Sequence, residues 1–315
     1  MSTLTPPWNP HHLPNADEKT FVVTGGHAGI GYFISEQLAS TGAHIVLAAR
    51  TEAKAERAMT AIRRHVPEAR LSFLHLDLSR LTSVAAAAAT ISRMPRLDAL
   101  ILNAAAILTT ARTETADGHE TVFGTNVIGN FALAAQSMGS LERTPGSRIV
   151  TLASIAPTLA RLRSLDTTDL NSTLGSYQRF PTYARSKLAQ MLIALELDRR
   201  LRESNSPVAS VMAHPGGARD GLTARRDGVI EPSALHRVRV APLALVAQGK
   251  HRGAWPIVRA ALDESVEGGQ TWGPRWWSSI GQPRLENFGG LLLDRTLATA
   301  TWNATQRLAG VHWNV

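Results

Sequence analysis

Six short apolar runs recur up to residue 216, and polar stretches with a helical period separate them. They are FVVTGG (21–26), AHIVLAAR (43–50), LSFLHLDL (71–78), LDALILNAA (97–105), SRIVTLAS (147–154) and VASVMAHPG (208–216). Each is rich in Val, Ile, Leu or Ala and ends near a polar, Gly or Pro signal, which reads as a strand buried on both faces. Helical patterns fall between them at about 29–41, 52–65, 80–92, 117–141 and 182–203. The Ala-rich piece VAAAAATI belongs to the third of these as a strong helix former. Strands alternating with helices over such a length imply an α/β fold, a doubly wound parallel sheet covered on both faces.

The two ends of the chain depart from this pattern. Residues 1–18 are rich in Pro, Asn and His without periodicity and read as an irregular arm. Beyond 216 the sequence becomes irregular, with 216–245 reading as a loop and short-helix insertion, yet no linker intervenes. We therefore expect one domain over 19–315. At 315 residues and 44% hydrophobic content the chain can bury a sizeable core.

Composition narrows the function classes. The net charge of +8 comes from 33 scattered Lys and Arg in short clusters, which does not suggest a nucleic-acid partner. The 11 histidines show no recognisable ligand spacing, so no metal is expected. There is no cysteine, no basic start followed by an apolar export segment, and no run of 18 apolar residues. The expected location is the cytoplasm, with no membrane span.

Two motifs carry chemistry. The first strand ends in TGGHAGIG, Thr24 to Gly31, and opens a helix. Gly25 permits a tight turn, Gly29 lets backbone approach a pyrophosphate, and Gly31 allows close helix packing, while the helix N-terminus offers amide hydrogens to phosphate. The second motif is TYARSKLAQ, with Tyr183 and Lys187 on one helix face. A phenol titrates near pH 10 and is a poor acid at neutrality, but a neighbouring ammonium favours the phenolate and should pull that value down. A surface pair supporting an amphipathic helix is the other reading of the same spacing.

Taken in order with LDLS at Asp77, NAAA at Asn103, TNVIGN at Asn126, TLAS at Ser154 and HPGG at Pro215 and Gly216, these motifs resemble the short-chain dehydrogenase/reductase family over roughly 20–280. Three further segments resemble its retinol-dehydrogenase-like and WW-domain-oxidoreductase-like branch. The resemblance implies a Rossmann-type sheet with a C-terminal substrate-lid region. It implies catalytic roles for Asn126, Ser154, Tyr183 and Lys187, with Asn126 holding a water of the proton relay. It implies a dinucleotide site at Gly25, His27, Gly29, Ile30, Gly31, Arg50, Asp77, Leu78, Asn103, Tyr183, Lys187, Pro215 and Gly216.

Three departures matter. Ser154 and Tyr183 stand 29 residues apart, so the intervening segment should border the substrate mouth. Asp220 occupies the place where the family commonly has a threonine on the nicotinamide amide. The second strand ends in LAAR, where an NAD enzyme would carry a carboxylate for the ribose 2′-hydroxyl. Arg50 offers a guanidinium to a 2′-phosphate instead, which favours NADP(H).

The expected activity is interconversion of a ketone or aldehyde with an alcohol, on a hydrophobic or natural-product substrate. The alternatives are a non-redox isomerisation or cyclisation in the same site, and a non-catalytic NADP(H)-sensing regulator. A homo-oligomer is compatible with the sequence. Six of seven tryptophans lie at or after 255, with Trp272, Trp276 and Trp277 together in TWGPRWWSSIG. They read as an apolar lid, as packing for the C-terminal segments, or as a membrane-interface contact.

Overall fold

The computed structural model describes residues 8–107, 109–287 and 289–315. The six apolar runs form β1 (Thr20–Thr24), β2 (His44–Ala49), β3 (Arg70–His75), β4 (Ala99–Leu102), β5 (Arg148–Leu152) and β6 (Ala209–Ala213). Each strand stops before its apolar run does. The last residues of every run leave the sheet and turn into the loops that line the site. Between the strands lie α1 (Gly29–Ala39), α2 (Glu52–His65), α3 (Leu81–Ile91), α4 (Asn130–Glu142) and α5 (Arg179–Glu203). The helix ending in α4 starts at Thr121, not 117, and passes through a π-helical turn at Gly124–Gly129.

Beyond residue 216 no periodic pattern announces the elements that form. A two-residue parallel ladder joins β7 (Ala218–Arg219) to β8 (Gln248–Gly249), closing the base of an excursion that includes α6 (Ala234–Val240). After α7 (Trp255–Leu262), two more strands, β9 (Thr271–Trp276) and β10 (Ile280–Glu286), extend the sheet. The order is β10-β9-β6-β5-β4-β1-β2-β3, with β10 antiparallel to β9 and every other pairing parallel. A last helix, α8 (Arg295–Ala309), starts on the Asp294 cap and ends at Gly310 in the left-handed region.

Strand alternation divides the core. Val22, Val46, Leu100 and Ile149 point to the face covered by α3, α4, α5 and α8, where Phe131 meets Trp302 and Trp313 edge-on at 4.9 and 5.1 Å. Phe21, Ile45, Ile101 and Val150 point to the other face, under α1, α2 and α7. Residues 1–7 of the expected arm lie outside the described residues. The rest of the arm is irregular but packed: Ala16 is buried and its N–H donates to the Thr41 carbonyl at 2.8 Å. Among the described residues, no helix is long and apolar enough to cross a membrane.

Candidate active site

A cleft of about 670 Å3 runs across the carboxyl ends of β1 to β6. In this topology β1 lies between β2 and β4, so the chain leaves β1 toward β2 and leaves β4 toward β5 on the opposite side, and a crevice opens above this switch point. On the β1 side the cleft floor is the glycine turn. Gly25 and Gly29 have φ of +67° and +57°, a region that other residues enter only at a cost. Gly31 does not line the cleft; a β-carbon there would collide with the Gly25 carbonyl, so this glycine lets α1 pack onto the turn. Asn103 braces the turn from β4, donating from Nδ2 to the Thr24 carbonyl at 2.8 Å.

At the β2 end stand His27, Arg50 and, in the first turn of α2, Lys54. Burial, and then the charges of Lys54 and Arg50, hold the His27 imidazole below its ordinary pKa. Its Nδ1 is buried with no hydrogen-bond partner among the described residues. Asp77 and Leu78 follow β3 and line the same wall; the Asp77 carboxylate accepts the Ser79 hydroxyl at 2.6 Å and N–H at 3.0 Å.

At the other end, β5 delivers Ser154 and α5 delivers Tyr183 and Lys187 to the same cleft. Ser154 Oγ accepts the Ala156 N–H at 3.1 Å, which leaves the serine proton for its hydrogen bond to the Tyr183 oxygen. The sign expected for the tyrosine is reversed here. Burial raises the Tyr183 pKa and the Ser154 hydrogen bond only partly opposes that rise. Lys187, 2% exposed, points its Nζ at the Leu152 carbonyl at 2.9 Å, and burial pulls it down to about 8. Desolvation, and not the attraction that the four-residue spacing suggests, is thus the main cause of both shifts.

Asn126 sits one layer behind. It is fully buried in the π-helical turn, and its amide is committed: Oδ1 accepts the Ala106 N–H at 2.6 Å, while Nδ2 donates to the Ala106 carbonyl at 3.1 Å and to Ser186 Oγ at 3.0 Å. It faces a small cavity of about 30 Å3 and not the main cleft. In this structure Asn126 pins the loop after β4 to the helix carrying Lys187.

Pro215 and Gly216 line the cleft below β6, and their turn is held by the residue that opens the HPGG motif, to which the sequence assigned no role. His214, wholly buried, accepts the Gly216 N–H on Nδ1 at 3.2 Å, which places the ring proton on Nε2, 2.8 Å from Glu286 of β10. Burial, the largest influence, pushes the Glu286 carboxyl up, but the His214 hydrogen bond and charge, Ser278 and Arg284 together outweigh it and leave the group below its usual range. Two further basic residues carry no sequence signal: Lys54, whose charge acts on His27, and Lys250. Lys250 lines the cleft beside Gly29 and pairs with Asp220. Of the segment between Ser154 and α5, Ile155 lines the cleft, and Tyr177 ties the segment to Thr109 at 2.7 Å and to Glu120 at 2.9 Å.

The tryptophan cluster is split. Trp272 is buried in the core with the Arg259 guanidinium 3.9 Å above its ring, whereas Trp276 and Trp277 are 54% and 75% exposed at the β9–β10 turn. None of the three lines the cleft; Trp277 borders a neighbouring cavity with Ile155, Thr158 and Leu159.

The family model described as short chain dehydrogenase matches residues 19–163. The chain is 33% identical to polyprenol dehydrogenase of Mus musculus over 83% of its length and 76% of that protein's. It is 35% identical to retinol dehydrogenase 13 of Homo sapiens, over 79% and 73% of the two chains. A crystal structure of an uncharacterized protein from Mycobacterium Paratuberculosis superposes with a TM-score of 0.78 at 26% identity, covering 98% of this chain and 99% of that one.

Proposed function

The chain belongs to the short-chain dehydrogenase/reductase family, in its retinol-dehydrogenase-like branch, and on that footing we propose that it is an NADP(H)-dependent oxidoreductase interconverting a ketone or aldehyde with an alcohol. The observation that carries this reading is the convergence of Ser154, Tyr183 and Lys187 on the same cleft as the glycine turn.

The residues fit a nicotinamide dinucleotide. Left-handed Gly29 keeps the α1 N-terminus open to a pyrophosphate, and the unpartnered His27 Nδ1 lies in the wall near Arg50 and Lys54. Those three basic groups suit a 2′-phosphate and thus support NADP(H) over NAD(H). When bound, the cofactor would supply or accept the two electrons exchanged with the substrate carbon.

The protein's own part is the substrate oxygen. Ser154 donates a hydrogen bond to it, and Tyr183 gives it a proton in reduction or takes one in oxidation. Burial keeps Tyr183 protonated, which suits it as the acid that finishes a reduction. Lys187, drawn down to about 8, holds a proton loosely enough to replenish the tyrosine. The mouth is apolar at Ile107 and Ile155, which supports a hydrophobic substrate, the class named in the polyprenol and retinol relatives.

A panel of ketones and aldehydes, followed by NADPH absorbance, tests the activity, with Tyr183→Phe as the diagnostic variant. We expect kcat to fall by at least the roughly 10²–10⁴-fold of general acid catalysis while NADPH affinity is retained. Near-normal turnover by Tyr183→Phe overturns the mechanism. Product formed without NADPH consumption would favour a non-redox use of the site, and cofactor binding without turnover of any substrate would favour a sensor.

A further inference from the structure

The 220–247 excursion is joined to the molecule at its foot, where β7 and β8 pair. Directly after β8 comes Lys250, and directly after β7 comes Asp220; their side chains form an ion pair. The aspartate is 61% exposed and the lysine only 22%, because the lysine stem runs along the cleft wall. Its Nζ lies 3.8 Å from where a β-carbon on Gly29 would stand. That is the spot above the first turn of α1 where the amide hydrogens of the glycine turn are presented. Bonds along the chain hold the lysine there: its N–H donates to Thr223 Oγ1 at 3.0 Å, and the side-chain Nε2 of Gln248, two residues back, donates to the Pro215 carbonyl at 3.1 Å.

An ammonium fixed beside a phosphate-binding turn, yet satisfied by a carboxylate that is itself largely in water, has a partner it can exchange. We propose that Lys250 is a pyrophosphate-binding residue of this cleft and that Asp220 is its resting partner, surrendered when a dinucleotide enters. The proposal rests on the nicotinamide-cofactor reading above. It also gives Asp220 a role: where the family commonly has a neutral hydroxyl, this chain carries an anion that would repel a pyrophosphate unless a cation stood between them. Lys250 is that cation. It neutralises Asp220 in the free protein, and its ammonium turns to the doubly charged pyrophosphate because that anion offers the stronger field.

The test is calorimetric titration of the full-length protein and of Lys250→Met, Lys250→Arg and Asp220→Asn with NADPH. Adenosine 2′-monophosphate, which carries the 2′-phosphate and no pyrophosphate, is the companion probe. Loss of one charge-assisted contact predicts that Lys250→Met weakens NADPH binding about 10- to 150-fold and leaves adenosine 2′-monophosphate unchanged. Lys250→Arg should recover most of that affinity. Asp220→Asn should tighten NADPH several-fold, since it removes the competitor and keeps the lysine. If Asp220 and Lys250 merely brace the foot of the excursion, both single variants will shift affinity in the same direction, and that overturns the proposal. Unchanged NADPH binding by Lys250→Met, or equal losses for both probes, overturns it too while leaving the cofactor reading intact. Failure of the wild type to bind NADPH, NADP+, NADH or NAD+ removes the cofactor reading itself, and this proposal with it.

Discussion

Lys187 shows how a residue readable in sequence can act with a different balance of forces in the fold. The four-residue spacing places it on the helix face of Tyr183, but spacing carries no information about solvent. Burial governs both groups: it raises the phenol and lowers the amine, whose value falls from 10.5 to about 8. Between those two values the unfolded chain holds more protons than the folded one, so this group makes stability rise with pH there. Its cost is fully present below pH 8. Relative to Lys187→Met, the wild type should therefore gain stability between pH 7 and pH 10 in urea denaturation. A difference that stays constant would mean that Lys187 is not desolvated. The place of Arg50 in the cleft was legible for the opposite reason: it follows directly on β2, and the cofactor contact proposed for it needs only charge and position. Arg50→Ala should weaken NADPH by about 10- to 150-fold and NADH little, as fluorescence titration would show. Equal wild-type affinity for the two cofactors would contradict that role. Lys54 and Lys250 left no such trace, because nothing in the spacing of a lone lysine says which loop it will face.

At the level of elements, β1 to β6 and the five helices between them were legible since parallel strands buried on both faces must be continuously apolar. The hairpin β9–β10 was not. Its strands, TWGPRW and IGQPRLE, mix Gly, Pro and Arg with tryptophan, and the last two residues of β9 are exposed. Pro274 and Pro283 face each other across the hairpin beside a register shift, at a sheet edge where a missing N–H does least harm. What ties this hairpin to the site is His214 and Glu286, hence β6 to β10, with the Gly216 turn held between them. Glu286→Gln keeps the shape and removes the charge. Because Glu286 retains some solvent contact, the loss should be about 1 kcal/mol at neutral pH. The folded carboxyl titrates below its unfolded value, so this contribution exists above about pH 4.5 and fades as pH falls through the folded value. Wild type and Glu286→Gln should accordingly converge in stability at acid pH; a gap that persists there would assign the loss to packing.

Across the whole molecule, the reactive end and a neighbouring cavity of mixed lining meet at one residue. Ile155 lines both the main cleft, beside Ser154 and Tyr183, and the neighbouring cavity of about 670 Å3 that Trp277, Thr158 and Leu159 border. The long segment between Ser154 and α5 makes this continuity, carrying Ile155 and Leu159 outward, while the β9–β10 turn brings Trp277 to the far side. A long or polycyclic apolar carbonyl compound could place its oxygen at Ser154 and Tyr183 and lay its remainder over Ile155 toward Trp277. A small ketone would never reach that far. Trp277 is 75% exposed, so its removal leaves no cavity in the core, unlike Trp272, whose indole packs under Arg259. Trp277→Ala should therefore lower kcat/KM for large hydrophobic ketones by about tenfold or more, the share expected of an indole losing apolar contact area. Small ketones, melting temperature and NADPH affinity should hardly change. An equal loss for small and large substrates would place the apolar part of the substrate elsewhere along the mouth.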